Sequence, residues 1–588
     1  MMRITIGRDQ QTGKPISIPS ELFRTHFHLL GATGTGKTTA IHTLLHPILM
    51  ETRPQKNCVF IVDPMGNLSY DLLKWIASRR YCPDHVRQRL VYIEPAREDV
   101  VLPFNPLIHS SQDHLYYQAG RAVEIVLRAW ASQDIEQMPR LRLWTFNSFF
   151  AVAALGYPIA VCRFLLRPGT PEHQALLQKL PPELQAMWAE ILQARGSEAV
   201  RILESTRNRL APFFDSGILR RMFGVPESRF DVRRFIEERR IVILNVASYN
   251  RLDPHIGHTI GGLAVNEIIQ TARNMSPKLV DPTYLLLDEF QHFVGEDLYE
   301  ALPIVRQLGL RLILAHQSFD QLERGDLDLS GMIWQARSRL MFANDAEDAD
   351  LIAHELATLT YDPMKLKEVL YRRGQRIAGH RREWVQNFSK TSTVSDAIDT
   401  QEGQSTSQNR GESRKLGTPL PTEQAGRTTS SSRGRSEKHA TSAGESAGRS
   451  ETLVPIHEDF LEVSSKTYST FDEERTQWAK RIREKRTGEA FGKFKDDPTL
   501  YDIAITRHPQ PDGPAIEQAV EELLEQNFAS EFFVSSALVE QESEQLRVDI
   551  LRPPVIRIAG NDQSQASGNA ETSSGDPFTS GRSGDDSD

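Results

Sequence analysis

Short, unbroken apolar runs rich in β-branched residues recur along the chain: Phe27 to Leu30, Val59 to Val62, Leu90 to Ile93, Ile241 to Val246, Tyr284 to Leu287, Leu312 to Ala315 and Leu340 to Ala343. A strand buried on both faces has no polar side to alternate with, so such runs predict parallel strands sandwiched between helices. Several end on turn or polar residues, at Gly31, Asp63-Pro64, Asp288-Glu289 and His316-Gln317. In an open α/β sheet that is where a ligand sits, beyond the carboxyl ends of the strands. Ile256, Ile260, Leu263, Ala264 and Ile268 follow helical spacing and predict a helix covering one face of the sheet.

From about Gln112 to Phe223 the strand signal stops. Tyr116 to Trp130, Leu141 to Leu155 and Leu184 to Ala194 carry helical periodicity instead. The stretch from Ser389 to Ser450 is rich in Ser, Thr, Gly, Gln and Arg and has no aromatic, Cys or Met. It cannot bury enough surface to offset its ordering entropy, so it predicts disorder. Apolar residues return over Phe460 to Phe494 and Ala515 to Leu551, and the chain then fades into an acidic Ser/Gly tail. The expected organisation is an α/β domain in two parts, 1–108 and 226–388, interrupted by an all-helical insert, 109–225. A disordered linker, 389–452, a helical docking segment, 453–559, and a disordered tail, 560–588, follow.

A chain of 588 residues exceeds what one core serves, and its 39% apolar and 25% charged content is ordinary for a globular protein. The net charge of −9 argues against a coat of positive potential, although a ring or cleft can still concentrate arginine. Three scattered cysteines, Cys58, Cys82 and Cys162, make neither a disulfide framework nor a zinc site and suit a reducing compartment. The longest uncharged apolar stretch, Phe149 to Cys162, is too short to span a bilayer, and the first residues do not form a signal peptide. The expectation is a cytoplasmic protein with no integral membrane segment, peripheral at a membrane if it docks there.

The run Gly31-Ala32-Thr33-Gly34-Thr35-Gly36-Lys37-Thr38-Thr39 fits G-x-x-x-x-G-K-[ST] directly after the strand at 27–30. In such a loop the backbone N–H groups from Gly31 to Thr39 turn toward phosphates, Lys37 reaches the β and γ oxygens, and the Thr38 hydroxyl ligands Mg²⁺. The apolar strand Tyr284 to Leu287 delivers Asp288 and Glu289. In that arrangement Asp288 holds the Mg²⁺ shell and Glu289 polarises the attacking water, which predicts ATP hydrolysis. Gln317, at the tip of the next strand, can sense the γ-phosphate, and Arg306, shortly before that strand, can complete the site of a neighbouring subunit.

Gly31 to Thr38, Asp63-Pro64-Met65-Gly66, Leu287-Asp288-Glu289, Arg306-x-x-Gly309-Leu310 and Ala315-His316-Gln317-Ser318 occur in the order found in one group of enzymes. The chain resembles the HerA/FtsK branch of P-loop ATPases and, within it, the ATPase domains of type IV secretion and conjugation coupling proteins. The resemblance spans roughly residues 1–360, and Ser464 to Phe494 is similar to the tail of soluble members. It implies a RecA-like α/β fold with a mostly parallel central sheet, and hexameric rings that thread DNA. It also gives Arg306 the role of an arginine finger acting between subunits and makes Gln317 the sensor coupling hydrolysis to DNA movement. Met65 stands where the family often has lysine, so Asp63 reads as a helix cap and not as a catalytic group.

Between Arg201 and Arg240 ten arginines face six acidic residues, a surplus that suits phosphate contacts as well as internal ion pairs. Without interleaved aromatics, any nucleic acid would be held through its backbone and without regard to sequence, and the family resemblance favours duplex DNA. Two other roles compete with a DNA motor. One is a nucleotide-gated scaffold that recruits a nuclease, relaxase or secretion component through its C-terminal segment; the other is an energiser of type IV secretion. In the motor and scaffold readings alike, loss of residues 389–588 would leave ATP turnover intact.

Overall fold

The structure, a computed structural model, describes residues 2–51, 57–107, 112–130, 138–194, 197–247, 252–275, 282–293, 309–324, 327–328, 330–334, 336–393, 404–413, 422–431 and 442–552. It divides into two compact units, Met1–Thr360 together with the chain from Glu474 onward, and Tyr361–Glu473.

The first unit is built on an eleven-stranded sheet. Its strands are β1 (Arg3–Asp9), β2 (Pro15–Pro19), β3 (Phe27–Leu30), β4 (Cys58–Asp63), β5 (Leu90–Ile93), β6 (Ile241–Asn245), β7 (Thr283–Leu287), β8 (Leu310–His316), β9 (Ser338–Met341), β10 (Glu489–Lys493) and β11 (Leu500–Ile505). They lie in the order β2-β1-β11-β10-β9-β3-β8-β7-β4-β6-β5. From β9 to β5 every neighbouring pair is parallel. These are the strands the apolar runs predict, and each is buried along its whole length. Helices covering both faces leave no polar side, which is why the sequence shows runs and not alternation.

The remaining four strands are antiparallel and were not expected. In β1 and β2 the signal has a period of two: Ile4 and Ile6 are buried on either side of exposed Thr5, and Ile16 and Ile18 on either side of half-buried Ser17. β10 and β11 come from the far end of the chain and extend the sheet from β9.

Helix α1 (Lys37–Leu49) follows the glycine loop and α2 (Asn67–Ala77) follows β4. Ile41, Leu44 and Leu45 of α1 and Leu68 and Leu72 of α2 share one core with Val59, Ile61, Leu286 and Ile313 of the sheet. Helix α3 (Pro254–Asn274) buries Ile256, Ile260, Leu263, Ala264 and Ile268 as its spacing predicts. Its Gly262 lies against Ile125 of helix Gln112–Trp130, the first of the helical insert. Pro139–Ala154 and Glu198–Asp215 are the other long helices of that insert.

The segment read as a docking surface packs within its own chain. Helix α4 (Pro514–Phe528) sends Val520 and Leu523 into the main core. The Asn527 side chain clasps the Tyr92 backbone, accepting from its N–H at 2.8 Å and donating to its carbonyl at 2.9 Å. Val534–Ser535 then pairs with Val100–Val101. Helix α5 (Ser536–Leu551) reaches helix Pro171–Lys179, where Lys179 Nζ donates to the carbonyls of Asp549 and Ile550 at 2.9 and 2.8 Å.

In the second unit Leu366–Thr393 pairs antiparallel with Ser442–Tyr468, and Gln404–Ser413 with Thr422–Ser431. These hairpins take in part of the stretch read as a disordered linker. Its other parts, 394–403, 414–421 and 432–441, and the acidic tail lie outside the described residues.

Candidate nucleotide site

β3 ends at Leu30 and α1 begins at Lys37, so the glycine loop joins the middle of the sheet to a helix N-terminus, where partial positive charge accumulates. Gly36 has φ 110° in the left-handed region, and a Cβ built on it would lie 2.8 Å from the Gly488 nitrogen. No side chain fits there. A Cβ on Gly31 would likewise strike the Phe342 side chain at 2.4 Å.

Lys37 is buried and donates from Nζ to the Gly31 carbonyl at 2.5 Å, while Glu289 Oε1 stands 3.7 Å from the same nitrogen. Burial lowers the Lys37 ammonium from its ordinary value, and the carboxylates of Glu289 and Asp288 oppose that shift. Glu289 holds φ 47°, a left-handed conformation that costs a non-glycine residue energy. In that conformation its carboxylate lies among three donors: Gln317 Nε2 donates to Oε1 at 2.7 Å, Gln291 Nε2 to Oε2 at 2.9 Å, and Lys37 stands beside Oε1. Thr33 Oγ1 in turn donates to Gln317 Oε1 at 2.6 Å. One hydrogen-bonded chain thus runs from the glycine loop through Gln317 to Glu289.

Asp288 follows β7, and its N–H donates to the Val62 carbonyl of β4 at 3.2 Å. Burial first, then the Asp63 and Glu289 carboxylates, push Asp288 up to about 7, against the pull of Lys37. Asp63 is itself fully buried and caps α2: Oδ1 accepts from the N–H groups of Met65 and Gly66 at 2.9 and 2.7 Å, and Oδ2 from Ser69 at 2.7 Å. Beneath the loop His28 and His316 face each other, Nε2 to Nε2 at 3.3 Å. Burial, then Lys37, depresses His316 to about 3, and burial leads the downward shift of His28, so both stay neutral.

A buried carboxylate that resists ionisation makes a testable contribution to stability. Below about pH 4 Asp288 is protonated in both the folded and unfolded states and contributes nothing. Between there and about 7 the folded protein keeps a proton that the unfolded chain has lost, so stability falls as pH rises, and above 7 the full penalty stands. Asp288→Asn removes it. The variant is expected to be more stable than wild type at pH 8, by on the order of 2 kcal/mol after discounting for partial exposure, and to converge with it at pH 4. Denaturant midpoints at the two pH values check this; equal midpoints at pH 8 would contradict the burial argument.

Of the residues singled out in the sequence, the structure brings Gly31, Thr33, Lys37, Asp288, Glu289 and Gln317 to one place. Gly34, Thr35, Gly36, Thr38 and Thr39 complete the loop and the first turn of α1. Arg306 lies outside the described residues. Gln291, two residues beyond Glu289, was not expected; nothing in the sequence marks it. Of the arginines between 201 and 240, Arg221, Arg229, Arg234 and Arg240 are engaged internally. Arg221 pairs with Glu540 at 3.8 Å, Arg229 donates to the Glu531 carbonyl at 2.7 Å, and Arg234 pairs with Glu238 and Glu531. Arg240 pairs with Glu238 at 2.7 Å.

A glycine loop between a strand and a helix, its lysine set against a carboxylate that ends a nearby parallel strand, defines a P-loop nucleoside-triphosphatase site. The chain belongs to the family described as type IV secretion-system coupling protein DNA-binding domain, whose model matches residues 11–360. Among solved structures it is similar to the bacterial conjugative coupling protein TrwBdeltaN70 in an unbound form, at 15% identity over 87% of this chain and 91% of that one, with a TM-score of 0.44. It is also similar to the plasmid coupling protein TrwB in complex with ADP and Mg²⁺, at 15% identity over 88% and 92%, TM-score 0.46. VirB4 of Thermoanaerobacter pseudethanolicus matches at 12% identity over 60% and 87%, TM-score 0.34. No curated protein matches the chain. Among the described residues no helix is long and apolar enough to cross a membrane.

Proposed function

We propose that the protein is a Mg²⁺-dependent ATPase that works as a ring, six protomers by family resemblance, and moves duplex DNA held through its backbone. The observation that carries the reading is the Glu289 carboxylate, held by Gln317 and Gln291 beside the Lys37 ammonium and linked through Gln317 to Thr33 of the phosphate loop. The residues fit the nucleotide: loop N–H groups and Lys37 for the phosphates, and the Thr38 hydroxyl with the Asp288 carboxylate for the metal. Held there, Mg²⁺ would neutralise the charge of the phosphates during transfer.

Glu289 takes the proton of the attacking water as its oxygen bonds to the γ-phosphorus and the bond to the β–γ bridging oxygen breaks, leaving ADP and phosphate. Gln317 holds Glu289 in place and, through Thr33, transmits the state of the phosphates to β8. Arg306 of a neighbouring protomer stabilises the charge of the transition state, as the family resemblance implies.

The test is ATP turnover with and without long duplex DNA at two salt concentrations. Turnover is expected to rise with DNA at low salt and to lose that stimulation as salt increases, because backbone contacts release counterions. ATP turnover that ignores DNA at low salt would refute the motor and leave the ATPase standing. Mass measurement with a nonhydrolysable ATP analogue is expected to give a sixfold particle; a persistent monomer would leave Arg306 without a site to complete.

A further inference from the structure

The glycine loop is touched from outside by the turn that joins helix Phe471–Arg483 to β10. Thr487 Oγ1 donates to the Gly34 carbonyl at 3.2 Å, and the Gly488 N–H donates to the Thr35 carbonyl at 2.8 Å. In a trans peptide the carbonyl and the following N–H point in opposite directions. A donor that holds the Gly34 carbonyl outward therefore aims the Thr35 N–H inward, and one on the Thr35 carbonyl aims the Gly36 N–H inward. The Thr35 N–H otherwise makes only a long contact, 3.4 Å to the Ala32 carbonyl.

The turn is stiff enough to act as an anchor. The Arg486 N–H donates to Glu489 Oε2 at 3.2 Å, the Glu489 N–H to the Arg486 carbonyl at 3.0 Å, and the Ile505 N–H to the Gly488 carbonyl at 2.8 Å. Lys485 pairs with Asp502 of β11. Gly488 sits at φ 85°, and its backbone fills the space a side chain on Gly36 would need.

We infer that the turn Arg486–Gly488 is a positioning element of the nucleotide site: it aims the N–H groups of Thr35 and Gly36 at the phosphates from a segment that carries no nucleotide motif. The inference rests on the loop binding Mg·ATP. Because coupling between sites is reciprocal, nucleotide held by the loop in turn tightens the turn and the strands behind it. The same segment continues through α4 to α5 on the helical insert, so the phosphate loop and the insert are joined by one stretch of chain as well as by the sheet.

The experiment compares Thr487→Val, Thr487→Ser and wild type for Mg·ATP affinity, KM, kcat and melting temperature without nucleotide. Thr487→Val is expected to weaken binding and raise KM about five- to tenfold, the scale of one neutral hydrogen bond, with kcat within about twofold and apo melting little changed. Thr487→Ser, which keeps the hydroxyl, is expected to restore wild-type values. Hydrogen exchange at the Gly488 amide is expected to slow when Mg·ADP is added to wild type.

Wild-type affinity in Thr487→Val would overturn the inference, as would a loss of affinity matched by a loss of apo melting temperature, which is what simple packing predicts. Gly488 exchange that ignores nucleotide would overturn the coupling. Wild type that binds no Mg·ATP would instead refute the nucleotide reading itself.

Discussion

Glu289→Gln is expected to bind Mg·ATP at close to wild-type affinity and to release phosphate at least about a thousandfold more slowly. The substitution is nearly isosteric, and the contacts around it say what changes. The carboxylate accepts from Gln317 at one oxygen and from Gln291 at the other, so an amide can keep only one of those bonds without rearrangement. To keep the second, either Gln317 turns its own carbonyl toward the new amide and gives up the Thr33 hydroxyl, or Gln291 turns its carbonyl and gives up Gln321. The variant thus loses the base for the attacking water and disturbs one of the two amides that hold residue 289. Lys37 remains bonded to the Gly31 carbonyl and loses only the attraction of Glu289 at 3.7 Å, so binding should survive. Nucleotide titration beside a phosphate-release assay separates the two effects. Turnover within tenfold of wild type would remove Glu289 from the chemistry.

The second large effect is expected from truncation. A chain ending at Thr470 keeps the phosphate loop, Asp288, Glu289 and Gln317, and retains every sequence motif of the site. It is nevertheless expected not to fold into a stable domain. It loses β10 and β11, which exposes the edges of β9 and β1 and splits the β1–β2 hairpin from the parallel strands. It also uncovers the partners of Phe491, Phe494, Ile503, Val520, Leu523 and Ile482, all buried. At ~1.5–3 kcal/mol for each large apolar side chain, the gross loss exceeds about 9 kcal/mol, comparable to the whole stability of an ordinary domain. Thermal melting and analytical ultracentrifugation of the truncated chain test this. A soluble monomer that melts cooperatively at the wild-type temperature and binds nucleotide would show that the tail is dispensable, as the motifs alone imply. Partner recruitment therefore cannot be probed by deleting residues 389–588, because the deletion removes part of the sheet.

The central strands were legible because burial on both faces forces continuous apolar runs, and a run such as Tyr284 to Leu287 suits a core strand and little else. The phosphate loop was legible for a related reason: its glycines and Lys37 are local requirements, met within nine consecutive residues. The edge of the sheet was not read. β1 and β2 carry only two buried isoleucines each, and β10 buries only Ala490, Phe491 and Gly492 between Glu489 and Lys493, a run too short and too mixed to mark a strand. The Asn527 clasp on Tyr92 gave no signal at all, since one asparagine in a helix does not name its partner.

What the sequence determined unaided is the kind of chemistry and the parallel heart of the fold, because both depend on residues adjacent in the chain or on the period of a single element. What only the tertiary structure decided is which distant groups meet: Gln317 and Gln291 on Glu289, Asp63 beside Asp288, and a turn at Thr487 and Gly488 against Gly34 and Thr35. Those meetings depend on strand order and register, and strand order is a property of the assembled sheet that no local window of residues contains.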